Sequence, residues 1–339
     1  MKSNHFQQLL SSYFLKYIPE RTNYSDNTIK SYRDTFVLLF QYQEEHLNKP
    51  VAKMDLEMLS REYLEDFLAW LENEKHYSVS SINQRLSALH AFFKYIQMER
   101  PEYIELCASI LGIRTRKVPV IPMNYLSVEA IKCLFSLPDI TTTEGRREIA
   151  ILILLYDSGA RVHEIADLTF GDIRNIKPAT VKLTGKGNKT RIIPLMPQTL
   201  DILNIYMNDC KRKKEIQLTH PLFFNKKCEK LTRAGIAYIL DKYVKEARSL
   251  CPELFSGKIS PHTLRHSKAM HLLEGGVNLI YIRDFLGHTS VITTEIYAKS
   301  NPEIKRKAIE NASPNVLPEE KYSAKLIIEK RFLCVFHLS

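Results

Sequence analysis

Six residues in the second half of the chain carry side chains suited to chemistry on a phosphate ester. They are two arginines, a lysine, two histidines and a tyrosine: Arg161, Lys186, His262, Arg265, His288 and Tyr297. A phenol with a pKa of about 10 becomes a nucleophile only in a cationic pocket with a base at hand. Arginine suits the charge on five-coordinate phosphorus, because its planar fork holds two oxygens and keeps its proton. The set indicates attack of a tyrosine on a phosphodiester, with side-chain cations in place of a metal.

The first arginine lies in the phrase GARVHE, just after the apolar run from Ile149 to Tyr156. We expect that run to be buried in a helix and to leave Arg161 at its edge. Glu164 follows three residues later, within one helical turn, and can hold the guanidinium in place. We therefore interpret Glu164 as a supporting residue rather than a catalytic one.

The phrase SPHTLRH predicts a helix that begins at Ser260, with Pro261 at its first helical position. His262 and Arg265 then lie on one helical face, close to a positive helix N-terminus that favours phosphate. His266 follows directly, and we interpret it as a packing or supporting residue.

The phrase GKGNKTR predicts the tip of a β-hairpin between strands at residues 180–183 and 191–195. Its glycines allow the tip to bring an ammonium group close to the site. Lys186 is the candidate general acid for the departing oxygen. Lys189 is a competing candidate that spacing alone does not exclude.

The phrase LGH predicts a helix that stops at Gly287, followed by His288 and by a new helix opening at Thr289 or Ser290. Tyr297 lies two turns into that helix, where Ile292 and Ile296 would anchor it. The chain has 17 tyrosines, so this one is singled out only by the residues that precede it.

The N-terminal part, residues 1–108, shows apolar residues at helical spacing over about residues 6 to 98, with Asp26 or Asn27 as a cap candidate. Between these stripes lie basic residues that can either face phosphates or form a solvated helix face: Lys30, Arg33, Arg85 and Lys94. Residues 109–124 lose the helical period, contain prolines and read as a basic linker. Its candidates for DNA contact are Arg114, Arg116 and Lys117, and the hairpin adds Lys189 and Arg191.

The linker leads into a second domain, residues 125–312, which is mostly helical and contains the hairpin as a small sheet. Ser127 is its first predicted helix cap. Residues 313–339 form an extension with an apolar stretch. Either the segment from Pro302 to Asn311 or that stretch could dock on a neighbouring protomer, or the extension has no partner role.

Composition agrees with a polyanionic partner. The chain of 339 residues is long enough for two cores, and 48 Lys plus Arg against 38 Asp plus Glu give a formal charge of +10. The cysteines show no CxxC pair, which argues against a zinc site or a disulfide framework and favours a reducing cytoplasm. No signal peptide or membrane-spanning run is evident, so we expect a soluble protein without metal or cofactor.

Taken in order, the phrases GARxxE, GKGxKxRxxP, HxLRH and LGH followed by tyrosine resemble the tyrosine recombinase family, the phage integrases and Xer-type enzymes. The resemblance spans about Gly159 to Ala298. It implies a mainly α fold, with a helical SAM-like core-binding domain and a catalytic domain carrying a small sheet. It also implies that the six residues form the active site.

The resemblance further implies cleavage through a 3′-phosphotyrosyl link to Tyr297 and exchange through a Holliday junction. Arg161 and Arg265 would stabilise the phosphorane, His288 would donate a hydrogen bond, and His262 would help to accept the phenolic proton. Partners would be double-stranded DNA and a homotetramer on two sites, with an accessory DNA-bending protein or partner recombinase as an option. The reaction would serve integration, excision, transposition or dimer resolution, and the extension favours a mobile element. Alternatives are a type IB topoisomerase-like activity and a catalytically silent DNA-binding protein.

Overall fold

The computed structural model describes residues 5–118, 124–213, 215–288, 290, 294, 295 and 297, with the backbone alone at 186 and 213. The chain divides into two compact units, Met1–Ile121 and Pro122–Ser339. In the described part of the chain, no helix combines the length and the apolar character needed to cross a membrane.

The regular secondary structure of the first unit is all helical among its described residues. Its α-helices are α1 (His5–Ser12), α2 (Ile18–Arg21), α3 (Asp26–Gln41), α4 (Arg61–Asn73), α5 (Val79–Glu99) and α6 (Ile104–Leu111). A π-helical turn, Tyr13–Tyr17, joins α1 to α2, and another, Tyr42–His46, follows α3. The predicted cap of α3 was wrong: Ser25, not Asp26 or Asn27, accepts a hydrogen bond from the Thr28 amide. Because α6 extends to Leu111, the first residues of the predicted linker are helical.

Helix α5 lies at the centre of this unit and packs against α3, α4 and α6. Its buried Phe92 makes edge contacts with the rings of Phe6, Tyr13 and Phe36. These contacts bury the apolar stripes that the sequence predicted, and they join α1 and α3 to one core.

The second unit is mostly helical with a small sheet, as predicted. Its helices are α7 (Val128–Ser136), α8 (Thr143–Asp157), α9 (Val162–Asp167), α10 (Pro197–Lys213), α11 (Arg233–Leu250), α12 (Pro261–Glu274) and α13 (Leu279–Leu286). Helix α8 is its buried centre and packs against α7, α9, α10, α11 and α12. Ser127 caps α7 as predicted, by accepting from the Ala130 amide.

The sheet of the second unit is antiparallel, in the order β1 (Ile173–Arg174), β2 (Thr180–Thr184) and β3 (Thr190–Pro194). The hairpin of β2 and β3 confirms the prediction, and β1 is an addition to it. In their register Leu183 lies opposite Arg191 and Val181 opposite Ile193. Since alternate residues share a face, Arg191 lies on the side of the buried Leu183 and Ile193.

Candidate active site

Arg265 is the buried centre of the site. Ser260 caps α12, with Pro261 at its start, as predicted, and the Thr263 hydroxyl accepts from the Ser260 amide at 3.0 Å. Arg265 Nη1 donates to the Gly159 carbonyl at 2.6 Å and Nη2 to the Leu286 carbonyl at 2.7 Å. Burial, with the charges of Arg161 and Arg191, lowers the pKa of Arg265 to about 10. The guanidinium therefore stays charged at neutral pH while it joins the end of α8 to the end of α13.

Glu164 forms the anionic support of the site. Arg191 Nη1 and Nη2 donate to its two carboxylate oxygens at 2.7 and 2.8 Å, and the Arg161 amide donates at 2.7 Å. Burial would raise the pKa of Glu164, but the bonds and charge of Arg191 and then of Arg161 outweigh it and lower the pKa to about 2. Glu164 is thus a buried carboxylate with matched partners.

Arg161 lies at the edge of this support. Its Nη1 is 3.4 Å from Glu164 Oε1, and its side chain is 31% exposed. Its contact with Glu164 agrees with the sequence prediction, although Arg191 is the closer partner of that carboxylate. This partial exposure leaves the Arg161 side chain accessible to a phosphate.

Tyr297 is 1% exposed and is surrounded by histidines. Its hydroxyl is 2.9 Å from His266 Nδ1, and its ring is parallel to that of His288, with centroids 6.5 Å apart. His288 Nδ1 is 3.0 Å from Thr294 Oγ1. Burial raises the pKa of Tyr297, and the charges of Arg265 and Arg161 oppose that rise. The structure thus brings the predicted tyrosine together with His288 and both predicted arginines.

The histidines near Tyr297 are neutral at physiological pH. Burial, followed by the charges of Arg265 and Arg161, lowers the pKa of His288 to about 4. Burial and the neighbouring His262 and Arg265 lower that of His266 to about 4. The pKa of His262 is lowered by the same kinds of cause, although its side chain is largely exposed at the start of α12.

Lys186 is placed only through its backbone, at the hairpin tip. A Cβ on the preceding Gly185 would lie 3.0 Å from Glu164 Oε1 and 4.0 Å from Arg161 Nη1. Gly185, beside the hairpin tip, therefore approaches the site closely, and a larger residue there would require Glu164 to move slightly. Lys189 is exposed nearby. The anchors predicted for Tyr297 at 292 and 296, the helix opening at 289, and residues 302–339 lie outside the described residues.

Seven of the predicted DNA contacts are exposed: Lys30, Arg33, Lys94, Arg114, Arg116, Lys117 and Lys189. Three of the predicted contacts have acceptors within their own unit, since Arg85 donates to the Ser31 carbonyl, the exposed Arg116 pairs with Glu72, and Arg191 holds Glu164. For these three a phosphate would compete with the acceptor already present, and their role as phosphate contacts stays a prediction.

Two parts of the site were not predicted from the sequence. One is the Gly159 carbonyl, which accepts from Arg265; a backbone acceptor leaves no signal in residue type. The other is the structural role of Arg191, which binds Glu164 and also donates through Nε to the Phe285 carbonyl at 3.0 Å. The alternation along β3 placed Arg191 on the same face as Ile193, and that pattern could have revealed its inward position.

Comparison with known proteins gives two family matches. Residues 124–303 match the phage integrase family, and residues 12–100 match the phage integrase N-terminal SAM-like domain. A protein named as an integrase/recombinase, y4rC of Sinorhizobium fredii, is 34% identical over 306 residues, covering 90% of this chain and 91% of the relative. Tyrosine recombinase XerD of Staphylococcus haemolyticus is 33% identical over 287 residues, covering 84% and 91%.

Solved structures share the fold. The XerH site-specific recombinase bound to its difH substrate has a TM-score of 0.66 at 21% identity, covering 88% of this chain and 83% of that chain. The Tn1549 transposon integrase in complex with transposon right end DNA has a TM-score of 0.69 at 18% identity, covering 91% and 99%.

The fold and the family matches together define an enzyme that cleaves and rejoins DNA. Within that class, the chain belongs to the phage integrase family and is a site-specific tyrosine recombinase. These relatives do not favour the topoisomerase-like or the catalytically silent alternative.

Proposed function

We propose that Tyr297 is the nucleophile that cleaves the DNA strand. Its oxygen attacks the scissile phosphorus, a 3′-phosphotyrosyl bond forms, and the bond to the 5′-oxygen breaks to leave a free hydroxyl. The observation that carries this proposal is the position of Tyr297 beside His288 and within the field of two arginines, which oppose the effect of burial on its pKa. The covalent link conserves the energy of the phosphodiester, so religation needs no ATP.

The cations have separate roles in this proposal. Arg265 and Arg161 stabilise the charge on the phosphorane, which requires fixed donors at the moment of reaction. Arg265 is fixed by its two carbonyl acceptors, and Arg161 by Glu164. His288 donates a hydrogen bond to the phosphate, and His262, exposed at a helix start, binds phosphate and helps to accept the phenolic proton. Lys186 protonates the leaving 5′-oxygen, as the position of Gly185 against Glu164 supports.

Further proposals concern the DNA and the assembly. The exposed cations, including Lys94 in the first unit and Lys117 in the linker, contact DNA phosphates. Residues 1–108 act as the core-binding domain, 109–124 as the linker, 125–312 as the catalytic domain and 313–339 as an extension.

Four protomers exchange strands on two sites through a Holliday junction, with or without an accessory protein. The reaction serves integration or excision of a mobile element, and the name of the y4rC relative, an integrase/recombinase, supports integration. The free thiols of the five described cysteines suit a cytoplasmic location.

The substitution Tyr297→Phe tests the nucleophile. On a nicked suicide substrate containing the cognate site, wild-type protein should form a covalent DNA complex that survives denaturation, with EDTA present. The phenylalanine variant should form none, because it lacks the attacking oxygen, while its DNA affinity stays within about twofold. The readout is the denaturing-gel shift beside a native binding titration.

Tyr281→Phe is the matched control, because that tyrosine is 70% exposed on α13 and loses the same hydroxyl. It should trap DNA as the wild type does. Covalent capture by Tyr297→Phe would disprove the nucleophile assignment, and capture that depends on added metal would disprove cleavage by side-chain cations alone.

A further inference from the structure

His266 lies directly against the hydroxyl of Tyr297. The two residues are 31 positions apart, yet His266 Nδ1 and Tyr297 Oη are separated by 2.9 Å and the ring centroids by 5.7 Å. The contact is a hydrogen bond by its length. His262, the histidine expected to accept the phenolic proton, has its ring centroid 6.4 Å from that of His266. The nucleophile's oxygen is thus in contact with a histidine that the sequence assigned only to packing or support.

The protonation state of His266 determines whether its contact with Tyr297 is an ion pair or a neutral hydrogen bond. Burial, with His262 and Arg265, lowers the pKa of His266 to about 4, and burial raises that of the Tyr297 phenol. A base so much weaker than the phenolate leaves the proton on the oxygen. His266 is therefore a neutral ring in contact with a neutral phenol, which excludes a resting ion pair and leaves a directional hydrogen bond.

We propose that His266 is a positioning residue for the nucleophile: its Nδ1 accepts the hydrogen of the Tyr297 hydroxyl and so fixes the oxygen lone pairs in directions away from its own ring. The hydroxyl has one hydrogen, so its direction fixes where the lone pairs point. With the hydrogen held by His266, the lone pairs stay available for attack on phosphorus, and the charges of Arg265 and Arg161 act on the same phenol. This role rests on the assignment of Tyr297 as nucleophile and concerns the orientation of its oxygen.

The test compares side chains that differ in where they offer an acceptor. The amide oxygen of His266→Asn can occupy the place of Nδ1, whereas that of His266→Gln reaches the place of Nε2, and His266→Leu offers none. On the suicide substrate, at saturating protein, we expect single-turnover trapping to be about tenfold slower for Gln and Leu. Asn should stay within about twofold of the wild type, and DNA affinity should be unchanged in all three. If the leucine variant fails to fold, the Asn and Gln pair still decides.

His271→Leu is the matched control. His271 lies on the same helix, and its Nδ1 makes the same kind of bond, 2.8 Å from the Tyr156 hydroxyl. Its loss should lower stability without changing the trapping rate of bound complexes. Equal rates for Asn and Gln, or trapping by Leu at or above the wild-type rate, would overturn the positioning role. Wild-type protein that traps no DNA would instead overturn the nucleophile assignment, so the two failures are distinguishable.

Discussion

At the scale of single residues, Glu164 determines how two arginines are used. Its side chain is fully buried, and Arg191, which is only 12% exposed, binds both of its oxygens. A buried pair of this kind contributes little compared with apolar packing, but removal of one partner leaves an uncompensated buried charge. Arg161 shares the same carboxylate by a longer contact. Glu164 thus neutralises Arg191 and leaves Arg161 oriented and partly exposed.

We expect Glu164→Gln to lower the free energy of unfolding by about 3 kcal/mol at neutral pH, measured by denaturant unfolding. A carboxyl group whose pKa falls from 4.5 to about 2 on folding is stabilised in its charged form by about that amount. Because the folded pKa is the lower one, this stability is present above about pH 4.5 and is lost as the pH falls toward 2. The difference between wild type and variant should therefore narrow by about 1 kcal/mol between about pH 7 and about pH 3.5.

Glu65→Gln provides the comparison, since it removes a Glu–Arg pair whose side chains are about half exposed. It should change the free energy of unfolding by less than about 1 kcal/mol. If Glu164→Gln lowered the free energy of unfolding by as little as this, Glu164 would not be a buried charged carboxylate. A loss of stability that grew as the pH fell would contradict that description as well.

At the scale of secondary-structure elements, the turn that follows α8 contacts both Arg265 of α12 and the end of α13. Gly159 has φ of +56°, and a Cβ there would lie 2.9 Å from Phe285 Cε1 and 3.0 Å from Leu286 Cδ2. Its carbonyl accepts from Arg265, which also binds the end of α13. The conformation of this turn therefore sets the position of Arg265.

We expect Gly159→Ala to destabilise the second unit by about 1 to 3 kcal/mol and to reduce DNA cleavage more than DNA binding. The strained φ contributes the first effect, and displacement of the carbonyl from Arg265 the second. Thermal unfolding and the ratio of trapping rate to affinity measure the two effects separately.

The variant Gly276→Ala separates the effect of backbone strain at a positive φ from the effect of a close contact with α13. Gly276 has φ of +82°, but no atom lies within 4 Å of a Cβ built there. Gly276→Ala should lower the free energy of unfolding by about as much as backbone strain does in Gly159→Ala. The rate of DNA cleavage in the bound complex should be unchanged. Equal loss of cleavage in both variants would show that the close approach of α13 to Gly159 has no part in positioning Arg265.

Much of this element-scale arrangement could be predicted from the sequence because its signals are local. The cap at Ser260, the stop at Gly287 and the hairpin around Gly185 each depend on residues within one turn. The contacts between elements could not be predicted in the same way. The bond from His266 to Tyr297 and the carbonyl of Gly159 under Arg265 depend on how helices distant in sequence pack, and periodicity carries no information about that.

At the scale of the whole molecule, the excess of positive charge suits a DNA substrate. The formal charge of +10 is carried in part by exposed cations in the first unit and in the linker residues 112–118. The sequence predicted these cations from their positions between the apolar stripes and in the stretch that loses the helical period. It could not show that Arg116 pairs with Glu72, because ion pairing depends on the folded unit.

We expect Lys117→Gln to reduce the slope of log affinity against log salt by about 1, because the loss of one phosphate contact removes about one released counterion. Lys245→Gln removes the same charge from an exposed lysine that is paired with Asp241 at 2.7 Å, and it should leave the slope unchanged. Fluorescence anisotropy titrations of one DNA duplex over a series of salt concentrations measure both slopes. If overall charge alone attracted the DNA, the two variants would weaken binding equally. A difference confined to Lys117 would instead identify the linker as a place where the protein contacts the backbone of its substrate.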